Sequence, residues 1–450
     1  MNLETIQNKT ILLFGKSRAF SSVEFDAQMR YHKIKVVKEN SEDVVLIVEG
    51  KMMTPYEQNA SDALYESKKI KSVSIYELDR ALAQHIDADA LLMSLKLSHD
   101  KERLLAFIKN FMISDTLFFR LLKMYEWGGE DFFENDENRD VTAALIGRFY
   151  EKIERNHNVQ YVTLGLMHLI TQCKNAELIE AIALLEPLQK YLSHHAENAN
   201  RAIIKSIAKH PITPKSVLKM FIQKADIQIK ILIALREDCD VLIQKQLFES
   251  GEKILCEALS LNANLDRDIA KALMKEERHA KNMAHAIKLD SDLFEIFLDG
   301  QSVELATNSS LMPQMQEKLF VLQDEAVNAA LAANKVLDEQ MFRELFSLEN
   351  ETIASTLYAN AATPQIFLRE AYLNAVYHLS LAKNPNTPSD ILLLLGTSTD
   401  ARILEALAKN ESTPVALLYQ LQLDSRFERF VKENAAFGAH IQTQNMGWIV

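Results

Sequence analysis

The sequence predicts a mostly α-helical protein: a small α/β domain (residues 1–88) and a helical linker or capping domain (90–195) lead into an α-helical repeat solenoid (198–440) and a short tail (441–450). Three observations predict it. A block of about 25 residues recurs through the second half, short β-branched and aliphatic runs gather in the first 75 residues, and glycine (11) and proline (9) are scarce in a chain that is 48% apolar. That composition suits helices burying several cores and excludes fibrous or disordered classes for the bulk of 450 residues.

Within the first domain, residues 10–14, 34–37, 44–48 and 73–75 read as strands, and 22–31 and 56–68 as helices, giving the order β-α-β-β-α-β-α. Ser21 followed by Glu24 forms a capping box for the first helix, and Leu78 with Leu82 continues the last. From residue 90 to 192 the text is helical without a period. Ser98 before Asp100 and Glu102, and Ser114 before Asp115, mark helix starts with acids in the first turn.

The repeats follow. ANAATPQIFL from Ala359, AKNPNTPSDILL from Ala382 and AKNESTPVALL from Ala408 superimpose as text. Their asparagines, Asn360, Asn384 and Asn410, extend to Asn308 and Asn334 upstream and Asn434 downstream, at spacings of 26, 26, 24, 26 and 24. Asn262 and His210 continue the series, HPITPKSVL repeating the loop, with degenerate copies near Arg236 and Lys288 and about ten units in all. An asparagine tolerates the left-handed conformation that ends a helix, a threonine three residues later caps the next, and the following proline takes its first position. These asparagines therefore read as loop and cap residues bonded to adjacent backbone, not to a ligand. Helix pairs this short bury their apolar faces only by stacking on neighbours, which makes a solenoid with a groove.

The NPNTP and NESTP loops and the period near 25 resemble the leucine-rich repeat variant family and, more loosely, HEAT-like repeats. TILLFGK leading into a helix, DVVLIVEGK and the first domain's element order resemble the BRCT domain, a protein-interaction module that in many members binds phosphorylated peptides. Phe14 before Gly15, and His32 and Lys33 ahead of the second strand, depart from that family's pattern. The combined head-plus-repeats arrangement resembles a bacterial family, a likeness that implies architecture and no activity.

Candidate sites come with a plain alternative each. Lys16, Ser17, Lys68 and Lys69 supply the hydroxyl and cations of a phosphate pocket, or are solvent-facing residues at strand and helix ends. Arg201, Lys205 and Lys209, spaced by four, and Lys215 and Lys219 on the next helix form a basic stripe, with Asp226 the only acid between Arg201 and Leu235. It reads as an anionic-partner site or as a solvated helix face. Residues 126–140 hold seven acids against one arginine, but EDFFENDENRD lacks the glycine and ligand spacing of a calcium loop, which favours an acidic solvated loop over a metal site.

Chemistry finds little else. No HExxH, GxSxG, GxxxxGKS/T or GxGxxG motif occurs, His279 and His285 fall on different helix faces, and Glu151 and Glu154 sit at salt-bridge spacing from Arg148 and Arg155. Cys173, Cys239 and Cys256 are far apart, indicating neither disulfide framework nor thiolate zinc site. Without a secretory signal or a run long enough to span a bilayer, the expected compartment is the cytoplasm, with no membrane partner. MGWIV at the C-terminus covers the last repeat or serves as a docking tail. The net charge of −12, about −2 over residues 1–90, −3 over 91–195 and −7 beyond, disfavours a general nucleic-acid coat. The expected function is a non-enzymatic adaptor without cofactors, joining protein partners of unspecified identity. The alternatives are a nucleic-acid-processing accessory protein, a phosphopeptide reader and a metal-dependent hydrolase on the acidic loop.

Overall fold

A computed structural model describes residues 1–17, 19–67, 70–129, 132–150, 163–193 and 198–443. The chain is mostly helical, carries a small parallel sheet near its N-terminus, and divides into two compact units, residues 1–233 and 234–450.

The first unit opens with β1 (Thr10–Phe14), α1 (Ser22–Tyr31), β2 (Lys35–Val37), β3 (Val44–Glu49), α2 (Pro55–Ser67), β4 (Lys71–Ser74) and α3 (Ile75–Gln84). All four strands are parallel in the order β2-β1-β3-β4, with Leu12 opposite both Val37 and Ile47, and Val48 opposite Val73. All five residues of β1 are buried, because helices cover both faces of a parallel sheet, and this is why the strand reads as an unbroken apolar run. The Ser21 hydroxyl accepts the Glu24 amide at 3.3 Å, half of the expected capping box. The Glu24 carboxylate pairs with Arg103.

Next come α4 (Ala88–Ser98), α5 (Lys101–Ile108), α6 (Asp115–Leu122), α7 (Asp136–Phe149), α8 (Thr163–Gln172), α9 (Ala176–Ala183), α10 (Glu186–Tyr191), α11 (Ala199–Lys209), α12 (Lys215–Lys224) and α13 (Ile227–Ala234). Ser114 caps α6 as the sequence suggests. Ser98, by contrast, closes α4, and the cap of α5 is Asp100, which accepts the Arg103 amide at 2.9 Å. A carboxylate is the stronger acceptor at a helix N-terminus because it also answers the helix dipole.

The second unit is a succession of helix pairs: α14 (Val241–Glu249) with α15 (Lys253–Ser260), α16 (Arg267–Leu273) with α17 (Glu277–Ala286), α18 (Ser291–Leu298) with α19 (Ser302–Ala306), and α20 (Pro313–Phe320) with α21 (Glu325–Ala333). It continues with α22 (Glu339–Phe346) and α23 (Glu351–Ala359), α24 (Gln365–Ala371) and α25 (His378–Lys383), α26 (Ser389–Leu395) and α27 (Ala401–Lys409), α28 (Val415–Gln422) and α29 (Glu428–Glu433), closing with α30 (Ala435–Thr443). The odd-numbered helices from α15 to α29 pack side by side in one row, and the even-numbered helices lie against them. The row holds a column of fully buried residues three positions before each asparagine slot: Leu259, Leu305, Leu331, Leu357, Leu381, Leu407 and Val431.

The asparagines make the joints. Asn334 Nδ2 donates to the carbonyls of Ala306 (2.7 Å) and Asn308 (2.9 Å), while its Oδ1 accepts the Val336 amide (2.9 Å). Asn360, Asn384 and Asn410 repeat this pattern: each donates to the preceding asparagine's own carbonyl and to the carbonyl two residues before it. Asn434 does likewise, Asn262 reaches Ala234 and Arg236, and Asn308 reaches Ala284 and Ile287. The degenerate slot near Arg236 thus still offers its carbonyl, which costs nothing in side-chain identity.

Two local expectations are corrected. The slot residues adopt extended backbone, such as φ −80° and ψ 119° at Asn384, and none of the ladder asparagines has positive φ. Asparagine is needed there for its two donors across the joint, not for left-handed freedom. The loop threonines face backward as well. Thr213, Thr387 and Thr413 donate to Ile207 (2.6 Å), Leu381 (2.7 Å) and Leu407 (2.7 Å), and Thr363 to Leu357 (2.5 Å), so each satisfies the helix it follows.

Candidate functional site

The strand ends of the sheet were the first candidate. Gly15 (φ +66°) follows β1 and Gly50 follows β3, and a side chain on Gly15 would put its Cβ 2.5 Å from the Lys51 carbonyl. The two loops can therefore meet closely, and Lys16 and Lys51 exchange backbone hydrogen bonds of 2.8 and 2.9 Å. Lys16 is exposed at this junction. The donors around it are committed, however. Glu57 accepts the Thr54 amide (2.8 Å) and the Gly15 amide (3.1 Å), which hold its carboxyl below the usual range. The Ser17 hydroxyl donates to Asp79 at 3.0 Å and accepts the Ala19 and Phe20 amides. A phosphate here would meet two carboxylates, and Lys68 and Lys69 lie outside the described residues.

The basic stripe loses its first member. Arg201 is 1% exposed and its guanidinium pairs with Asp226, while Nη2 donates to Gln228 Oε1 at 3.1 Å. Each four-residue step on a helix turns the side chain about 40° further round, so equal spacing did not keep Arg201 on the outer face. The single acid of the segment takes it up. Burial opposes the charge of Asp226, but Arg201 and the Gln228 and Ile229 amides outweigh it and hold the carboxyl below its usual range. Lys209, Lys215 and Lys219 are exposed and Lys205 is half-buried.

The acidic loop is a folded connector. Tyr125, Trp127 and Phe132 pack edge to face, and Asn138 accepts the Tyr125 hydroxyl (2.8 Å) and donates to the Gly128 carbonyl (2.7 Å). Glu137, Asp140 and Asp136 pair with Lys101, Lys109 and Arg139. Among the described residues no group of three or more histidine, cysteine or carboxylate side chains could hold a metal ion. Glu130 and Asp131 of this loop, Glu151, Glu154, Arg155, His157, His194 and His195, and the MGWIV tail lie outside the described residues. Cys173, Cys239 and Cys256 are free thiols, and burial pushes Cys239 up to about 12.

Three features were not read from the sequence. Residues 1–233 balance 31 lysines and arginines against 31 acids, whereas residues 234–450 hold 19 against 31, so the second unit carries the whole net charge of −12. At the turn from even to odd helix in four of the last five pairs, Leu322, Leu348, Leu373 and Leu423 stand exposed, Leu373 and Leu423 at 88% and 89%, while the α26–α27 turn carries Gly396 and Thr397 and no leucine. Acids that open the following helices flank them, among them Asp324, Glu325, Glu351 and Glu428. A 25-residue autocorrelation of leucines lying outside the helical faces would have found this edge. In the first unit, a cleft of 940 Å³ between α4 and α6 is lined by Leu92, Met93, Leu104 and Met124, with Lys96 and Lys123 at its margin.

The chain contains no helix long and apolar enough to cross a membrane among the described residues. Compared with protein-family models, with curated proteins and with solved structures, the chain matches none of them.

Proposed function

We propose that this chain is a non-enzymatic interaction scaffold whose helix-pair repeats, of leucine-rich repeat variant or HEAT-like type, dock a protein segment along the leucine-bearing edge. The observation that carries the reading is the recurrence of exposed Leu322, Leu348, Leu373 and Leu423 at one repeat position, in a unit with twelve more acids than bases. A single exposed leucine is ordinary, but leucines at four turns of the last five pairs, beside carboxylates, make a surface of one sign. The fitting partner is a basic amphipathic segment. The head supports a second contact: its β-α-β-β-α-β-α order agrees with a BRCT-like module, and the methionine-lined cleft at α4 and α6 adds an adaptable apolar surface.

Glu57 and Asp79, which already take up the Gly15 amide and the Ser17 hydroxyl, weigh against a phosphopeptide, and the loss of Arg201 from the basic stripe weighs against nucleic acid. The test is a paired pull-down from the native cell with the full chain and with Leu348→Asp/Leu373→Asp/Leu423→Asp, followed by cross-linking mass spectrometry. The expected result is a protein retained by the first bait only, cross-linked to this edge through a lysine-rich segment and released by salt. Identical captures by both baits, or cross-links confined to other surfaces, would reject the reading.

A further inference from the structure

A pocket of 430 Å³ opens on the second unit between the turn joining α22 to α23 and the turn joining α24 to α25. Glu349, directly after Leu348, and Asn374, directly after Leu373, both line it, so it belongs to the leucine edge. Phe346, Val376 and Tyr377 give it apolar walls, Glu349 and Glu351 give it two carboxylates, and no lysine, arginine or histidine lines it. The two rings are held in place by a third: Phe346 packs edge to face on Tyr358 at 5.8 Å, Tyr377 lies 4.6 Å from the same ring, and Tyr358 is 5% exposed. Asn350 and Asn374 accept backbone amides of their own turns on Oδ1. Glu349 and Glu351 are exposed, and neither makes an ion pair among the described residues. The first turn of α23 accounts for the sign of Glu351, since a carboxylate there answers the helix dipole, but not for the aromatic walls beside it.

We infer that this pocket takes a cationic side chain of the segment that docks on the edge, its stem against Phe346 and Tyr377 and its charge met by Glu349 and Glu351. A cation is the charge that suits these walls. Both carboxylates and the aromatic faces attract it, and no like charge in the lining opposes it. An anion would meet two carboxylates, and an apolar side chain would bring them no counter-charge. The size agrees, because a partner helix is about 10–12 Å across and would stand outside a pocket that admits one long side chain. The inference rests on the scaffold reading, since it names what the docking segment places beside Leu348 and Leu373.

Methyl NMR of the full chain, with Val376 as reporter, tests it against two probes: Nα-acetyl-arginine amide and its neutral isostere, Nα-acetyl-citrulline amide. Arginine should shift the Val376 methyl signals and bind at least about fivefold more tightly than citrulline, and added salt should erase the difference. Glu349→Gln/Glu351→Gln changes two exposed positions and should bring arginine down to the citrulline level. The remaining methyl signals check that the variant is folded, and the comparison of the two probes on the unaltered chain needs no variant. Equal binding of both probes, arginine binding unchanged in the variant, or shifts confined to methyls away from Val376 overturns the inference. The two readings also fail separately in the pull-down. Capture lost by the leucine variant but kept by Glu349→Gln/Glu351→Gln overturns the pocket alone, whereas capture kept by the leucine variant rejects the edge and the inference with it.

Discussion

The two units bury polarity in opposite ways. In residues 234–450 the same side chain recurs at seven joints, from Asn262 to Asn434, and each ladder asparagine spends two donors and an acceptor on backbone groups. In residues 1–233 the buried polar groups do not recur in this way: Arg201 pairs with Asp226, Asn138 bonds Tyr125 and Gly128, and Asp79 accepts from Ser17. A repeated and satisfied group is construction. Net charge divides as well, since residues 1–233 are balanced and residues 234–450 carry the whole −12.

The largest expected effect breaks the pair that distinguishes the first unit. Arg201→Met leaves Asp226 buried without its partner and should cost about 3–5 kcal/mol in urea unfolding, whereas Arg201→Met/Asp226→Leu should recover most of that loss. The contrast matters because a charge is expensive inside only when uncompensated. A single variant no less stable than the unaltered chain would mean that Arg201 reaches water.

A ladder asparagine should come next. Asn384→Ala strips the donors from the Tyr358 (2.9 Å) and Asn360 (2.6 Å) carbonyls and the acceptor from the Asn386 amide (2.7 Å), for a loss of about 3 kcal/mol. Asn386→Ala, which removes one half-buried bond to Thr363 and a long, exposed one from Gln365 (3.5 Å), should cost about 1 kcal/mol or less. Hydrogen exchange should locate the first loss at the joint between α23 and α25. Equal costs for the two substitutions would reduce the ladder to ordinary loop bonding.

This ladder also marks how far the text could be read. The helix pairs and the order of the sheet elements were legible because each depends on neighbours within a few residues, and the period because the same loop text recurs every 24 to 26 residues. Where the Asn384 amide points was not, since its acceptors lie 24 and 26 residues earlier and exist only once the previous pair is in place. Local cap chemistry offered a plausible but wrong reason for the same residue. Arg201 failed for a related reason: four-residue spacing gives a face, but the acid that decides whether that face is outside lies 25 positions away. The small pocket that Asp79 of α3 and Asn110 after α5 both line had no signal of any kind, being assembled from a helix and a loop 31 residues apart with no shared motif.

Asp79 supplies the smallest effect and the one whose sign is most diagnostic. Its carboxyl titrates at about 6 in the fold against 3.8 for the ordinary group, with burial the main cause and the Ser17 hydroxyl and Ala19 amide opposing it. The folded chain therefore holds this proton more firmly than the unfolded chain between those values, and stability falls as pH rises through the window, then levels off above it. Asp79→Asn removes the charge and its cost. The variant should match the unaltered chain near pH 4 and exceed it by about 2 kcal/mol at pH 8, the difference growing between pH 4 and 6. Asp226 and Glu57, whose carboxyls are lowered, work in the other direction, contributing stability that is lost as pH falls below about 4. Urea unfolding of both chains at pH 4, 6 and 8 separates the two behaviours. A difference that shrinks toward pH 8 would mean that the carboxylate is stabilised where it stands.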